Sequence, residues 1–171
     1  MSERARRHPT EPPLYTESER RRRDTSRWTL VQGILAPIQF VVFAVSLGLV
    51  LRYLYTGGGL AAASLSVMVK TLVLYTIMVT GSIWEKDVFG CYLFARPFFW
   101  EDVVSMVVLA LHTGYLVVLA TGALDARGQM LLALAAYASY VVNAAQFLLK
   151  LRAARLQSGG PRPAGTLALS E

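Results

Sequence analysis

Four stretches of the chain, Trp28 to Leu54, Leu60 to Trp84, Val103 to Thr121 and Met130 to Leu151, are nearly unbroken runs of apolar residues. A helix needs about 20 such residues to cross roughly 30 Å of hydrocarbon, and all four runs are close to that length. Between them lie Thr56-Gly57-Gly58-Gly59, the segment Glu85 to Asp102, and the stretch Ala123 to Gly128. The pattern predicts an all-α, integral membrane four-helix bundle over residues 28–151, with an arm at 1–27 and a tail at 152–171. The first run follows a long polar arm and is too long for a signal core, so it is expected to remain as a span. The arm from Met1 to Asp24 and the tail from Ser158 onward are rich in charge, proline or glycine and are expected to be disordered.

Inside the runs, polar residues recur at helical spacing. Gln32, Ala36, Gln39, Phe43 and Ser46 share one face of the first helix, and Thr71, Tyr75, Met78, Ser82 and Glu85 share one of the second. Glu101, Ser105, Val108, His112 and Tyr115 follow on the third; Ser139, Asn143, Gln146 and Lys150, with Tyr140 alongside, follow on the fourth. A polar side chain in hydrocarbon must turn toward a partner or a wet cavity, so the four rows predict one polar interior. For Gln39, Ser46, Thr71, Ser139 and Asn143 the expected role is hydrogen bonding between helices. Pro37 is expected to bend the first helix.

Composition agrees with a membrane setting: 54% of the 171 residues are hydrophobic and only 16% are charged. The net charge of +6 resembles a nucleic-acid footprint until its location is considered. The excess lies in the flanks, at Arg4, Arg6, Arg7, Arg20, Arg21, Arg22, Arg23 and Arg27, and at Arg152, Arg155 and Arg162. Basic flanks mark the cytoplasmic side, so both termini and the middle segment are expected there, facing anionic lipid rather than nucleic acid. Arg52, near the far end of the first run, is expected to snorkel. The single cysteine, Cys91, excludes an intrachain disulfide, and no Cys/His spacing suggests a zinc site. The triple glycine lacks the Lys-Ser/Thr of a phosphate loop and reads as a tight turn.

Three features carry candidate chemistry. Lys70 lies about ten residues into the second span, where an ionised group costs about 2.5 kcal/mol or more, so it is expected to be structurally paired or a neutral amine, or else to bind an anionic substrate group. His112 is similarly deep in the third span, as a satisfied polar residue or as a ligand or proton carrier. Four acids gather at Trp84-Glu85-Lys86-Asp87 and Trp100-Glu101-Asp102, with Arg96 between them. An interfacial belt with a dipole-favoured acidic first turn accounts for Asp87, Trp84, Tyr92 and Trp100. Glu85 and Glu101 share faces with the intramembrane rows and are placed to project inward.

The segment Leu74 to Gly90, through Thr80-Gly81-Ser82-Ile83-Trp84-Glu85-Lys86-Asp87-Val88-Phe89-Gly90, is followed by Tyr92-Leu93-Phe94-Ala95 and Phe98-Phe99-Trp100-Glu101-Asp102-Val103-Val104-Ser105-Met106. Together with Leu35 to Phe40, Leu109 to Thr113 and Tyr140 to Phe147, it resembles the 3-vinyl (2-vinyl in older nomenclature) bacteriochlorophyllide hydratases over roughly Leu14 to Leu156. The resemblance implies addition of water to the ring A vinyl group of a chlorophyllide, giving a 1-hydroxyethyl substituent in bacteriochlorophyll synthesis. It implies no cofactor, the magnesium belonging to the substrate. It also implies a home in the cytoplasmic membrane of a phototrophic bacterium, or its internal extension, beside other enzymes of the pathway.

Hydration of an alkene with this regiochemistry protonates the terminal carbon, leaves a cation that the macrocycle delocalises, and then admits water. A carboxyl in low-dielectric surroundings is a suitable proton donor, so Glu101 or Glu85 is the candidate acid, with Asp102 or the other glutamate orienting water. His112 is the candidate axial ligand of the substrate's magnesium, directly or through water, with Tyr75 or Tyr115 as neighbours. The free propionate is matched to Arg96, Lys86 or Lys70, the first two being favoured at the cytoplasmic face. Trp84 and Trp100 are candidate stacking partners. The other readings of the same residues are a non-catalytic tetrapyrrole-binding or assembly protein and, last, a transporter subunit, for which no inverted repeat or broken helix is evident. A paralogue acting on a chlorosome-pigment precursor is a further variant of the hydratase reading.

Overall fold

A computed structural model describes residues 14–158, with side chains described to Arg152; the expectations for the outermost arm and for most of the tail lie outside the described residues. Five helices follow in order: α1 (Glu17–Thr25), α2 (Arg27–Thr56), α3 (Leu60–Phe89), α4 (Phe99–Thr121) and α5 (Ala126–Ser158). The last four are long and apolar enough to cross a membrane, and the chain is a multi-pass membrane protein.

The helices outrun the apolar stretches that predicted them, because capping groups rather than hydropathy set their ends. Ser26 starts α2, its hydroxyl accepting from the Trp28 amide at 3.2 Å. Helix α3 continues past Trp84 to a left-handed Gly90 at φ 86°, so Glu85, Lys86 and Asp87 are helical rather than part of the middle loop. Likewise α4 begins at Phe99, which puts Glu101 and Asp102 in its first turn, where the helix dipole favours negative charge. The loop between the two spans is thereby shortened to residues 90–98. At the opposite end the triple glycine is the tight turn expected of it, with Gly57 at φ 72° and Gly59 at φ 87°.

A correction concerns the arm. Residues 17–25, expected to be disordered, form α1. The Thr16 hydroxyl accepts from the Glu19 amide at 3.3 Å while the Glu19 carboxylate accepts from the Thr16 amide at 2.7 Å, a reciprocal capping box. Tyr15 anchors the helix, stacked on Phe89 with ring centroids 5.8 Å apart and covered by the Arg23 guanidinium at 4.8 Å. Val88, Phe98, Trp84 and Phe147 complete this apolar knot at the loop end of the bundle.

The four long helices form two hairpins. Helices α2 and α3 pack intimately along their length, as do α4 and α5, while the two hairpins meet more sparsely, chiefly α2 against α5 and α3 against α4. Small residues allow the close approach: Ala63 on α3 and Ala133 and Ala136 on α5 are fully or almost fully buried. Of the hydroxyls and amides expected to join helices, Ser46 and Asn143 do so, whereas Thr71 and Ser139 donate to the Val67 and Ala136 carbonyls of their own helices. Ser46 bonds both Ser66 at 2.7 Å and Tyr137 at 2.6 Å, linking α2, α3 and α5. Gln32 donates to Thr80 at 2.8 Å, and Asn143 donates to Ser105 at 2.9 Å.

Tyr15 is the side chain that docks α1. Tyr15→Ala should cost about 3 kcal/mol of local packing and make tryptic cleavage at Arg20 to Arg23 at least several-fold faster, leaving the helix content of the bundle unchanged; proteolysis followed by mass spectrometry checks both.

Candidate functional site

The seam between the hairpins is the polar interior that the four rows predict. The α4 row is buried throughout, from Glu101 through Ser105, Val108 and His112 to Tyr115. Opposite it lie Gln39 of α2, Lys70 and Glu85 of α3, and Tyr137, Tyr140 and Asn143 of α5, all buried. Two centres emerge along this seam, and they differ in how completely their polar atoms are satisfied.

The first centre is at the loop end. Glu85, on the last turn of α3, and Asp102, on the first turn of α4, are 5% and 3% exposed, and they are near enough that each acts on the other's charge. Each also accepts a backbone amide from the loop: Ala95 to Glu85 Oε2 at 3.0 Å and Phe94 to Asp102 Oδ2 at 2.7 Å. Two successive amides reach two carboxyls because Phe94 adopts a left-handed conformation, φ 60°, which costs a non-glycine residue roughly 1 kcal/mol. Beside the pair, Glu101 forms an ion pair with Lys150 of α5 at 2.6 Å, and Lys150 also donates to the Pro97 carbonyl. The three candidate acids therefore divide: Glu85 and Asp102 are a carboxyl pair, whereas Glu101 is neutralised by a lysine.

The second centre is deeper. Lys70 and His112 are both 0% exposed. The Lys70 ammonium has no hydrogen-bond partner and lies 3.9 Å from the centre of the Tyr140 ring. His112 Nδ1 bonds the Val108 carbonyl of its own helix at 2.8 Å, which leaves Nε2 without a partner. The Tyr115 hydroxyl, both polar atoms of the Gln39 amide and Asn143 Oδ1 are also buried without partners. The bridging role expected of Gln39 is thus not seen. An unsatisfied polar group in a membrane interior costs several kcal/mol, and a cation–π contact offsets only about 2 kcal/mol of that for a lysine.

The remaining candidates lie apart from both centres. The Tyr75 hydroxyl bonds Thr113 at 2.7 Å, tying α3 to α4. Trp84 donates to Thr29 at 3.0 Å and packs edge-on against Phe89 and Phe98 at 5.7 Å, so it belongs to the apolar knot. Lys86 donates to the Gly90 carbonyl at 2.8 Å, capping α3. Arg96 is exposed on the loop, where Tyr92, Phe94, Phe99 and Trp100 make an exposed aromatic rim, Trp100 at 69% exposure. Sequence reasoning put Lys150 in the polar row of the fourth helix but missed its partner, and it missed the loop amides. The Lys150 pairing spans 49 residues, and the amides of Phe94 and Ala95 carry no side-chain signature.

Asp102 and His112, which mark the two centres on α4, are ten residues apart, about 15 Å at the helical rise.

A family model described as 2-vinyl bacteriochlorophyllide hydratase (BCHF) matches residues 15–153, nearly the whole of the described structure. The chain belongs to the 2-vinyl bacteriochlorophyllide hydratase family. A 2-vinyl bacteriochlorophyllide hydratase from Rhodobacter capsulatus is 62% identical over 162 residues, 95% of this chain and 94% of that protein. One from Cereibacter sphaeroides is 69% identical over 144 residues, 84% of this chain and 89% of that protein. No solved structure matches the chain. For this hydratase family, then, the described residues supply an arrangement of carboxyls, lysines and one buried histidine.

The ion pair separates architecture from chemistry. Lys150→Met should strand the buried Glu101 carboxylate at a cost of about 3 kcal/mol, read as a lower unfolding midpoint in mild detergent. Adding Glu101→Gln to that variant should recover most of the loss, because it removes the charge left without a partner.

Proposed function

We propose that the protein hydrates the ring A vinyl group of a chlorophyllide-type macrocycle in bacteriochlorophyll synthesis, and that the Glu85–Asp102 pair carries the proton chemistry. Membership of the family supports the reaction. The observation that carries the residue assignment is the pair of neighbouring buried carboxyls, each held by one loop amide, because two carboxylates so close in low-dielectric surroundings cannot both stay ionised. Such a pair presents a neutral acid and a carboxylate side by side.

The reaction uses both. The acid donates its proton to the terminal vinyl carbon, the alkene π electrons forming the new C–H bond, and the adjoining carbon becomes a cation delocalised into the macrocycle. Water attacks that carbon, and its proton passes to the carboxylate partner. The product is the 1-hydroxyethyl group, and no electrons are gained or lost, so no redox cofactor is required. Glu101, held by Lys150, keeps the loop and the first turn of α4 in register with the pair.

The substrate is apolar in its body and anionic at its propionate. The aromatic rim around the loop provides stacking surfaces in Tyr92, Phe94, Phe99 and Trp100, and the exposed Arg96 provides a fork for the propionate. Two surface grooves, one lined by Arg22, Arg27, Trp28 and Asp87 and one by Val41, Val45, Leu49 and Leu65, do not reach Lys70 or His112. The deep seam is closed, and a ring enters it where the sparsely packed hairpins part. In this reading His112 lies beyond the far edge of a ring whose vinyl group meets the acid pair. Retained pigment absorption in His112→Ala agrees with that placement, and an altered spectrum assigns His112 to the magnesium instead.

The basic flanks support an orientation with both termini and the 90–98 loop on the cytoplasmic face of the inner or intracytoplasmic membrane, open to neighbouring enzymes of the pathway. Cys91, the lone cysteine, sits in that loop partly exposed and serves as a native reporter. An impermeant maleimide should label it in inside-out vesicles and not in intact spheroplasts; the reverse pattern overturns the orientation.

Membranes from a non-phototrophic host expressing the protein should convert vinyl chlorophyllide to a product heavier by one water, with a blue-shifted red band because the vinyl conjugation is lost. Glu85→Gln and Asp102→Asn should each lower turnover by about 100-fold or more, and Glu101→Gln by much less. Pigment that binds unchanged favours a tetrapyrrole-binding protein, and full turnover in both carboxyl-pair variants removes the acid assignment.

A further inference from the structure

Among the unsatisfied polar groups of the seam, Lys70 is the one that carries an ammonium. Its ammonium is wholly buried, faces the Tyr140 ring at 3.9 Å and lacks any hydrogen-bond acceptor. The acids of the seam do not serve it: Glu101 is paired with Lys150, and Glu85 and Asp102 hold the loop amides. A lysine so placed, with three donors and a ring on one side only, calls for an acceptor brought by a ligand.

Its depth can be read from the helices. Asp102 and Ser105 are three residues apart on α4, Ser105 is bonded to Asn143, and Asn143 is three residues from Tyr140 on the antiparallel α5. At the helical rise those two steps place the Tyr140 backbone about 9 Å from the acid pair, while Lys70 and Glu85, fifteen residues apart on α3, are about 22 Å apart along the helix, so the Lys70 ammonium turned toward Tyr140 lies between these depths. That interval includes the span of a tetrapyrrole from a substituent on one rim to one on the opposite rim. Chlorophyllide rings carry a ketone on the fused fifth ring, across the macrocycle from ring A, and a ketone oxygen is a rigid, uncharged acceptor suited to an apolar seam.

We infer that Lys70 donates a hydrogen bond to this ring ketone and so fixes the depth at which the ring A vinyl group reaches Glu85 and Asp102. The inference rests on the hydratase reading and extends it to substrate selection. Lys70 is a positioning residue, Tyr140 holds its side chain along the seam, and the propionate trails from the neighbouring ring toward Arg96. Parting of the hairpins admits the ring, and the bond to Lys70 forms as they close on it. A macrocycle without the ketone has no anchor at this depth.

Resonance Raman spectra of vinyl chlorophyllide bound to the full-length protein in membranes test this directly. In the wild type the ketone stretch should lie below its free position; in Lys70→Met it should return there while the pigment stays bound, and in Lys70→Gln, which keeps a donor, part of the shift should remain. In the hydration assay Lys70→Met should raise KM about tenfold, the loss expected of one charge-assisted hydrogen bond. An unshifted ketone band in the wild type overturns the inference without any variant, even where hydration proceeds normally. A band that stays low in Lys70→Met overturns it as well. Failure of wild-type membranes to bind the pigment overturns the hydratase reading and this inference together.

Discussion

In hydrocarbon a hydrogen-bonding group has no water to fall back on, and this constraint orders the whole molecule. It closes the backbone into helices, and it divides the polar side chains into those tied within the protein and those left for something else. Ser46, Ser66 and Tyr137 tie one another, as do Asn143 and Ser105. Glu85 and Asp102 are tied to the loop, while Lys70 and His112 retain unsatisfied atoms. The tied groups build the bundle, and the untied ones lie where the hairpins meet.

The spans were legible because hydropathy responds directly to the bilayer, and the α4 row was legible because helical spacing fixes which residues share a face. Helix ends were less so. Gly90 and Ser26 terminate helices through backbone angle and a single hydroxyl, beyond the reach of an apolar count. Helix α1 did have a signal, Thr16 followed three residues later by Glu19, but it was masked by the run of arginines behind it.

The site was legible in its residues and opaque in its pairings. Spacing brought Glu85 and Glu101 inward, yet it is Asp102 that stands beside Glu85, the two being held by successive amides of the short loop. The left-handed Phe94 that supplies the amides is not a glycine, so nothing in the residue type announces it. Lys150 reaches Glu101 only through the return of α5, a contact made by topology rather than by local pattern.

The division into two tight hairpins has a consequence for how such a catalyst is supplied. If, as proposed, the ligand enters between the hairpins, the seam is filled from the lipid phase, and the concentration that governs occupancy is the mole fraction of pigment among lipids. The same pigment spread through twice as much bilayer is half as available, whatever the volume of water around it. Catalysis of this kind is a two-dimensional problem, in which crowding the enzyme and its pigment into one patch of membrane does the work that a deeper binding pocket does in solution.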